Sequence, residues 1–195
     1  MKKCIFFIIL FVFSYVVVSQ SLIINEFMSS NQNTLIDQYG DSSDWLEIYN
    51  SGIESISLDG FSLSDDINNP NKWLFPNIEI LPSQFLLVFC SEKNTYKNNE
   101  LHTNFKIQQS GEAIFLFGPD KNLISSVPSI YVPTDYSYGC VIDGEGLFSI
   151  METSSPGSSN VLSIPLTQIV SSHQSGFYSS EFELELLSNY KESVV

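Results

Sequence analysis

Apolar and polar residues alternate with a period of two along most of the chain, and the alternating segments are short. The segment 44–50 places Leu46 and Ile48 on one face and Trp45 and Glu47 on the other. This alternation predicts a strand with one buried face.

Two other segments, 85–90 and 112–117, are apolar on both faces, as the central strands of a sandwich are. The alternation changes phase between Ile56 and Leu63, and Asp59-Gly60 at the slip predicts a turn or bulge. Turn-forming residues separate further predicted strands at 22–28, 72–75, 104–107, 123–127, 136–141 and 147–150. Since no window beyond the N-terminal apolar run has helical periodicity, we predict an all-β fold, either a sandwich or a barrel.

The first 19 residues have the parts of a secretory signal peptide. Lys2 and Lys3 precede an apolar run from Cys4 to Val18, and the small polar residue Ser19 follows. We therefore expect cleavage after Ser19 and a secreted or cell-surface protein. The alternative is a transmembrane anchor, but the run is shorter than the ~20 apolar residues that cross a bilayer.

A change of composition near residue 160 predicts the end of the β-domain. Residues 161–175 are polar, contain Pro165 and are predicted to be a linker. Strand-like alternation resumes in 176–195, with apolar residues at Phe182 and Leu184. We divide the chain into a signal peptide (1–19), a β-sandwich (20–160), the linker and this last segment. Because about 20 residues cannot bury a core alone, the last segment either adds a strand to the sandwich or begins a further β-module.

The charge balance excludes several classes of partner. The chain has 22 acidic residues against 8 lysines and no arginine, which gives a net charge of −14. Nucleic-acid binding depends on basic side chains that displace counterions from phosphates, so we predict no nucleic-acid partner. The same argument disfavours anionic membrane surfaces, and we expect the membrane to matter only for export.

Several stretches, in this order, together resemble the lamin tail domain. They are Ile23–Phe27, Asp44–Asn50, Ile56–Asp65, Trp73–Pro76, the strand from Phe85, Ser110–Glu112, Ser137–Gly139 and Ser155–Asn160. The lamin tail domain is an immunoglobulin-like sandwich known from nuclear lamins and from exported bacterial proteins. The resemblance covers about residues 22–160, and it implies this fold and a role in protein or surface binding.

Two further points concern this resemblance. Cys140 stands where exported members commonly carry an arginine. Residues 176–184 resemble the opening of a small β-domain at the C-terminus of chitobiase-like proteins. Exported proteins sometimes carry that domain after a lamin tail domain, ahead of a spore-coat-kinase-like domain.

Loop aspartates are the first candidates for a site. They form two groups, Asp37, Asp41 and Asp44 around one turn and Asp65-Asp66 in another. Calcium takes six to eight oxygen ligands, which neighbouring loop carboxylates can supply. The spacing completes no calcium-loop motif, and aspartate is also an ordinary turn residue, so we predict no metal site.

Glutamates and histidines give no stronger signal for catalysis. Glu26 and Glu47 could form a carboxylate pair for acid–base catalysis, but a strand glutamate on the outer face of a sandwich is the commoner arrangement. His102 and His173 lie in polar segments without metal-ligand spacing, and we expect both to be exposed. We predict no catalytic residue and no cofactor.

Aromatic residues and cysteines each leave two interpretations open. Trp45, Tyr49 and Trp73 could stack against a saccharide, or they could be core residues. Cys90 and Cys140 could form a disulfide in an oxidising compartment, but we favour two buried apolar thiols.

We therefore expect a secreted or cell-surface, non-catalytic interaction or architectural module. Its partner would be a protein or a cell-surface component, including polysaccharide. Two alternatives stay open: the docking front of a larger exported enzyme (spore-coat-kinase-like or a hydrolase), and a carbohydrate-binding sandwich.

Overall fold

The computed structural model describes residues 22–161 and the backbone of 169–171 and 186–188. The described residues form strands, turns and bends, and no helix long and apolar enough to cross a membrane occurs among them. The predicted signal peptide and its cleavage site lie outside these residues. The strands are β1 (Leu22–Met28), β2 (Asp44–Asn50), β3 (Ile56–Ser57), β4 (Ser62–Ser64), β5 (Trp73–Leu74), β6 (Glu79–Ile80), β7 (Phe85–Cys90), β8 (Thr95–Lys97), β9 (Glu100–His102), β10 (Ile114–Phe117), β11 (Leu123–Val127), β12 (Ser137–Cys140), β13 (Phe148–Met151), β14 (Ile169–Ser171) and β15 (Leu186–Ser188).

Two sheets form the sandwich. The larger has the order β13-β12-β1-β2-β7-β9-β8, and every pair in it is antiparallel except β7 with β9. The smaller has the order β11-β10-β4-β5, and β3 pairs with β6 separately. This architecture confirms the predicted all-β, immunoglobulin-like sandwich.

The core fills the space between the two sheets, because alternate residues of each strand point inward. Fully or almost fully buried side chains from the larger sheet meet those of the smaller one; they include Ile24, Leu46, Ile48 and Val88 on one side and Leu63, Trp73, Ile114 and Leu116 on the other.

The phase slip in the sequence marks a change of sheet. The N–H of Phe61 donates to the carbonyl of Leu58 (3.0 Å) across the Asp59-Gly60 turn, and Gly60 has a φ of +80°. β3 pairs with β6 before this turn, whereas β4 pairs with β10 and β5 after it. The predicted turn is confirmed.

The polar segment before His102 differs from the prediction. It contains the hairpin β8–β9, whose turn residues Asn98 and Asn99 have φ of +50° and +66°. Asparagine tolerates this left-handed conformation, which two-residue hairpins require. Segment 104–107, predicted as a strand, makes only an isolated bridge between Ser91 and Lys106.

The C-terminal strands pair with each other rather than with the sandwich. β14 and β15 form a two-stranded antiparallel sheet of their own. Ile169–Ser171 is therefore a strand within the stretch predicted as a linker. Most of segment 176–195 lies outside the described residues.

The larger sheet has two distinct ends. At one end, Leu22 lies opposite Asn50, and the loops 51–55, 81–84 and 141–147 meet; we name these three loops the junction end. At the other end, Asp44 lies opposite Cys90; we name this the cleft end.

Candidate functional site

A β-bulge in β1 places adjacent polar side chains on the outer face of the larger sheet. The β1–β2 register pairs Ile24 with Ile48 and then Glu26 with Glu47, so that Asn25 is the extra residue. Opposed residues of an antiparallel pair share a face, and therefore Glu26 and Glu47 lie side by side. The bulge adds the Asn25 amide, whose Nδ2 lies 3.3 Å from Glu47 Oε1.

The residues 155–160, which we name the strap, run across these carboxylates. Glu26 accepts hydrogen bonds from the N–H and the hydroxyl of Ser155 (both 3.1 Å), and Glu47 accepts one from the N–H of Gly157. A third carboxylate, that of Asp143, accepts hydrogen bonds from the N–H of Asn160 (3.1 Å) and the hydroxyl of Ser159. Glu26 and Glu47 thus lie on the outer face of the sheet, as predicted, but the strap covers them and both are fully buried.

Burial changes the protonation of these carboxylates. It raises the pKa of Glu47 to about 8, against the lowering effect of hydrogen bonds from Gly157 and Asn25. It also raises the pKa of Glu26, although Ser137 and Ser155 donate to that carboxylate. Shifted carboxylates can serve acid–base catalysis only where a substrate reaches them. The strap covers both, and this pair therefore holds the strap in place rather than acting on a substrate.

The aspartates of the 37–44 turn have a lysine at their centre. Lys93 Nζ binds the Asp37 carboxylate and lies 3.0 Å from Asp41 Oδ2. Asp37 also accepts the N–H of Tyr39 (2.9 Å) and of Asp41 (3.1 Å), as an aspartate in a turn does. Asp37 is buried rather than solvated. The lysine ammonium takes the place that a cation would occupy between these carboxylates.

Lys93 and these hydrogen bonds determine the charge of Asp37. Burial alone would raise the pKa of Asp37, but hydrogen bonds from Lys93, Ser43 and the backbone lower it to about 2. In the second acidic loop, Lys72 pairs with Asp65 (2.5 Å), and Asp66 accepts the N–H of Asn68 (2.9 Å). Among the described residues, no three acidic, histidine or cysteine side chains are placed to hold a metal.

His102 is buried, and the prediction that it is exposed is wrong. Its ring stacks on Phe89 (5.1 Å between centroids) and meets the edge of Tyr39 (5.4 Å). Its Nδ1 lies 2.9 Å from Ser91 Oγ, and its Nε2 lies 3.3 Å from a Glu100 carboxylate oxygen. His173 lies outside the described residues.

The Ser91, His102 and Glu100 side chains form a hydrogen-bonded series, as hydrolytic triads do. However, the His102 ring is fully buried and stacked on Phe89, so that a substrate cannot reach it. In addition, Ser91 Oγ pairs with Nδ1 of this ring, whereas the serine of a hydrolytic triad pairs with Nε2. Since β7 and β9 share only two residue pairs, the Ser91–His102 bond reinforces a short parallel contact. We assign this series a structural role.

The two tryptophans are enclosed and cannot stack against a saccharide, whereas Tyr49 is partly exposed and stacks on Phe85 (4.5 Å between centroids). Trp45 is fully buried on the outer face of the larger sheet, with Met28, Phe89 and Leu35 around it. Trp73 belongs to the core between the sheets. β2 is consequently buried on both faces, which corrects the expectation of one solvent face.

Cys90 and Cys140 are free thiols, and both are fully buried. They lie on β7 and β12, three strand positions apart in the larger sheet. At about 4.8 Å per position, the offset across the strands alone is roughly 14 Å, which already exceeds the reach of a disulfide. Burial raises the pKa of both thiols.

A cleft of about 240 Å³ opens at the cleft end. Donors and acceptors mix in its lining, which consists of Asp41, Ser42, Ser43, Asp44, Cys90, Ser91, Lys93 and Lys106. Burial raises the pKa of Asp44 to about 6, against the effects of the Asn31 N–H and Lys106. Such a surface suits a polar partner with both hydrogen-bond donors and acceptors. Serines and lysines spread over several loops carry no motif, which is why sequence reasoning missed this cleft.

With this geometry established, comparison with known families identifies the domain. A family model described as Lamin Tail Domain matches residues 18–130, which is more than half of the chain. The chain belongs to the lamin tail domain family. No curated protein matches it.

Membership of this family agrees with the burial of Glu26, Glu47 and His102, the side chains that could otherwise act in catalysis. Lamin tail domains are immunoglobulin-like, non-catalytic modules of the protein-interaction type. In this lamin tail domain, β12, β13 and the strap lie beyond the matched residues, yet β12 pairs with β1 and the strap covers Glu26. The sandwich therefore extends to about residue 160, past the end of the family match.

Proposed function

We propose that this lamin tail domain is an exported, non-catalytic binding module whose cleft end receives a protein or cell-surface partner. The cleft supports this proposal, because it lies at the end of the sheet opposite Leu22, where the chain enters the domain. Two charged side chains of the lining are largely accessible, Asp41 (65% exposed) and Lys106 (59% exposed). A net charge of −14 argues against nucleic acid as that partner.

Photo-crosslinking on intact producing cells tests the binding surface. A benzophenone amino acid at position 42, on the cleft rim, is expected to give a discrete adduct, and one at the exposed position 59 is not. Protease treatment then tells a protein partner from a polysaccharide. Lys106→Glu should remove the adduct, whereas Lys121→Glu changes the net charge equally and should leave it. Equal adducts from positions 42 and 59 would contradict the proposal.

Export has its own test. We expect the mass of the mature protein, recovered outside the cell, to correspond to a chain that begins at Gln20. Recovery of the full-length chain in the membrane fraction would favour the anchor instead.

A second candidate function is the docking front of a larger exported enzyme. One observation favours it: β14 and β15 already pair outside both sandwich sheets, as the start of a further module would. Sequencing the transcript beyond Val195 separates the two functions. An open frame that encodes a catalytic domain would support the docking role, and an immediate stop codon would oppose it.

A further inference from the structure

Four aliphatic side chains are exposed on the loops of the junction end: Ile53 (90%), Leu147 (66%), Ile142 (56%) and Leu81 (52%). Isolated apolar side chains are normal on a protein surface, but a group on adjoining loops marks a contact surface. The three loops carry Glu54, Asp143 and Glu145 and contain no lysine.

Hydrogen bonds and close packing join these three loops. The Asn50 side-chain amide donates to the carbonyl of Glu54 (2.9 Å), and the Asn50 carbonyl accepts the N–H of Ser83 (2.8 Å). Gly144 packs so tightly against Ser51 that an added Cβ would lie 2.8 Å from the Ser51 Cβ. The loops that carry the exposed aliphatic side chains are therefore in direct contact with one another.

The chain leaves the sandwich at this same end. Asn160 donates its N–H to Asp143 (3.1 Å) and its side-chain amide to the carbonyl of Cys140 (2.9 Å), which fixes the strap beside the loop that carries Ile142 and Leu147. Eight residue steps separate Val161 from Ile169, where β14 begins, and they span at most about 29 Å. The C-terminal strands are therefore held within reach of the junction end.

The C-terminal strands need a partner surface. A two-stranded antiparallel sheet is marginally stable by itself in water, and β14 pairs only with β15 among the described strands. The sequence before β15 alternates between the apolar Phe182 and Leu184 and the acidic Glu181 and Glu183, a pattern that predicts a strand with one apolar face. Such a strand can present its apolar face to the sandwich and keep its carboxylates in water.

We propose that the apolar side chains of the junction end pack against the C-terminal segment 162–195 of the same chain. In this contact the exposed aliphatic side chains of the junction end are buried against apolar side chains of the segment. This contact fixes the orientation of whatever follows the lamin tail domain. It is independent of what the cleft end binds.

Crosslinking within the full chain tests this contact. A benzophenone amino acid at position 53 is expected to crosslink to peptides from 162–195, as read by mass spectrometry at dilute protein concentration. The same group at position 96, which is exposed on the edge strand β8, should give no such crosslink. Because a buried leucine contributes about 1.5–3 kcal/mol, Leu184→Asp should reduce the yield from position 53 by about tenfold or more.

The control variant is Glu183→Gln, at a polar position of the same alternating segment, which should leave the yield unchanged. Circular dichroism of each variant establishes that the sandwich is intact. Three results would overturn the proposal: crosslinks from position 53 to a second copy of the chain, equal yields from positions 53 and 96, or no crosslink to the C-terminal segment.

Discussion

Two sites in this sandwich bury carboxylates, and they differ in the groups that contact those carboxylates. Glu26 and Glu47 lie beneath the strap and receive hydrogen bonds from hydroxyl, amide and backbone N–H groups. Asp37 is as completely enclosed, but Lys93 binds its carboxylate directly. Burial consequently raises the pKa of both glutamates, whereas the pKa of Asp37 falls to about 2.

The difference shows that burial alone does not determine the charge of a carboxylate. Without a cation in contact, burial favours the protonated form of a carboxyl group and raises its pKa. With an ammonium in contact, the same group stays ionised. The strap site is therefore held by hydrogen bonds from neutral donors, while the Asp37 site is held by an ion pair.

The largest effect is expected from removing a strap carboxylate. Glu26→Ala leaves the hydroxyl of Ser137 and the N–H of Ser155 without their acceptor in a buried place, and should lower the free energy of unfolding by about 3 kcal/mol. Urea denaturation measures this loss. Glu26→Gln keeps an acceptor and should lose less, and the exposed Glu152→Ala should change stability by less than about 0.5 kcal/mol.

A smaller loss is expected at the ion pair. Asp37→Asn leaves the Lys93 ammonium without its closest counter-charge and should lower the free energy of unfolding by about 2 kcal/mol. If the stranded charge is the cause, Asp37→Asn with Lys93→Met should recover part of the loss. A double variant no more stable than the single one would assign the loss to the turn geometry of Asp37 instead. Asp59→Asn, in an exposed turn, is the matched control.

The two sites should respond to pH in opposite directions. The folded pKa of Glu47 is raised, so its contribution is complete below the unfolded pKa, near 4.5, and is lost as pH rises through about 8. The folded pKa of Asp37 is lowered, so its contribution is present above the unfolded value, near 3.8, and is lost as pH falls through about 2. Denaturation from pH 2 to 9 should show both losses. Glu47→Gln should reduce the loss at rising pH, to which Glu26 and Asp44 also contribute, and Asp37→Asn should reduce the loss at falling pH.

The smallest expected effect is that of calcium. Because Lys93 already lies between Asp37 and Asp41, millimolar calcium should leave the melting temperature unchanged. A melting temperature that rises with calcium concentration would show that the cation displaces this lysine.

Local pattern predicted much of this fold. The boundaries predicted at 22–28 and 123–127 agree with β1 and β11, and the slip at Asp59-Gly60 is a change of sheet. These features depend on residues close together in the sequence, where alternation and turn chemistry operate.

The buried polar groups could not be predicted in this way. Glu26 has the alternation of a solvent-facing residue, and its burial depends on Ser155, 129 residues later. His102 lies in a polar stretch but is covered by Tyr39 and Phe89 from two other parts of the chain. A single sequence gives no signal for contacts that only the assembled sandwich creates.

The strap also determines when this domain can finish folding. β1 emerges early in synthesis, but β12 and the strap, which pair with it and cover it, follow more than 100 residues later. At typical rates of synthesis, this interval is on the order of 10 s. For that time the first strand has only part of its hydrogen-bonding surface satisfied. Closure of the sandwich is thus a late event, because it has to wait until residues 137–160 have been synthesised.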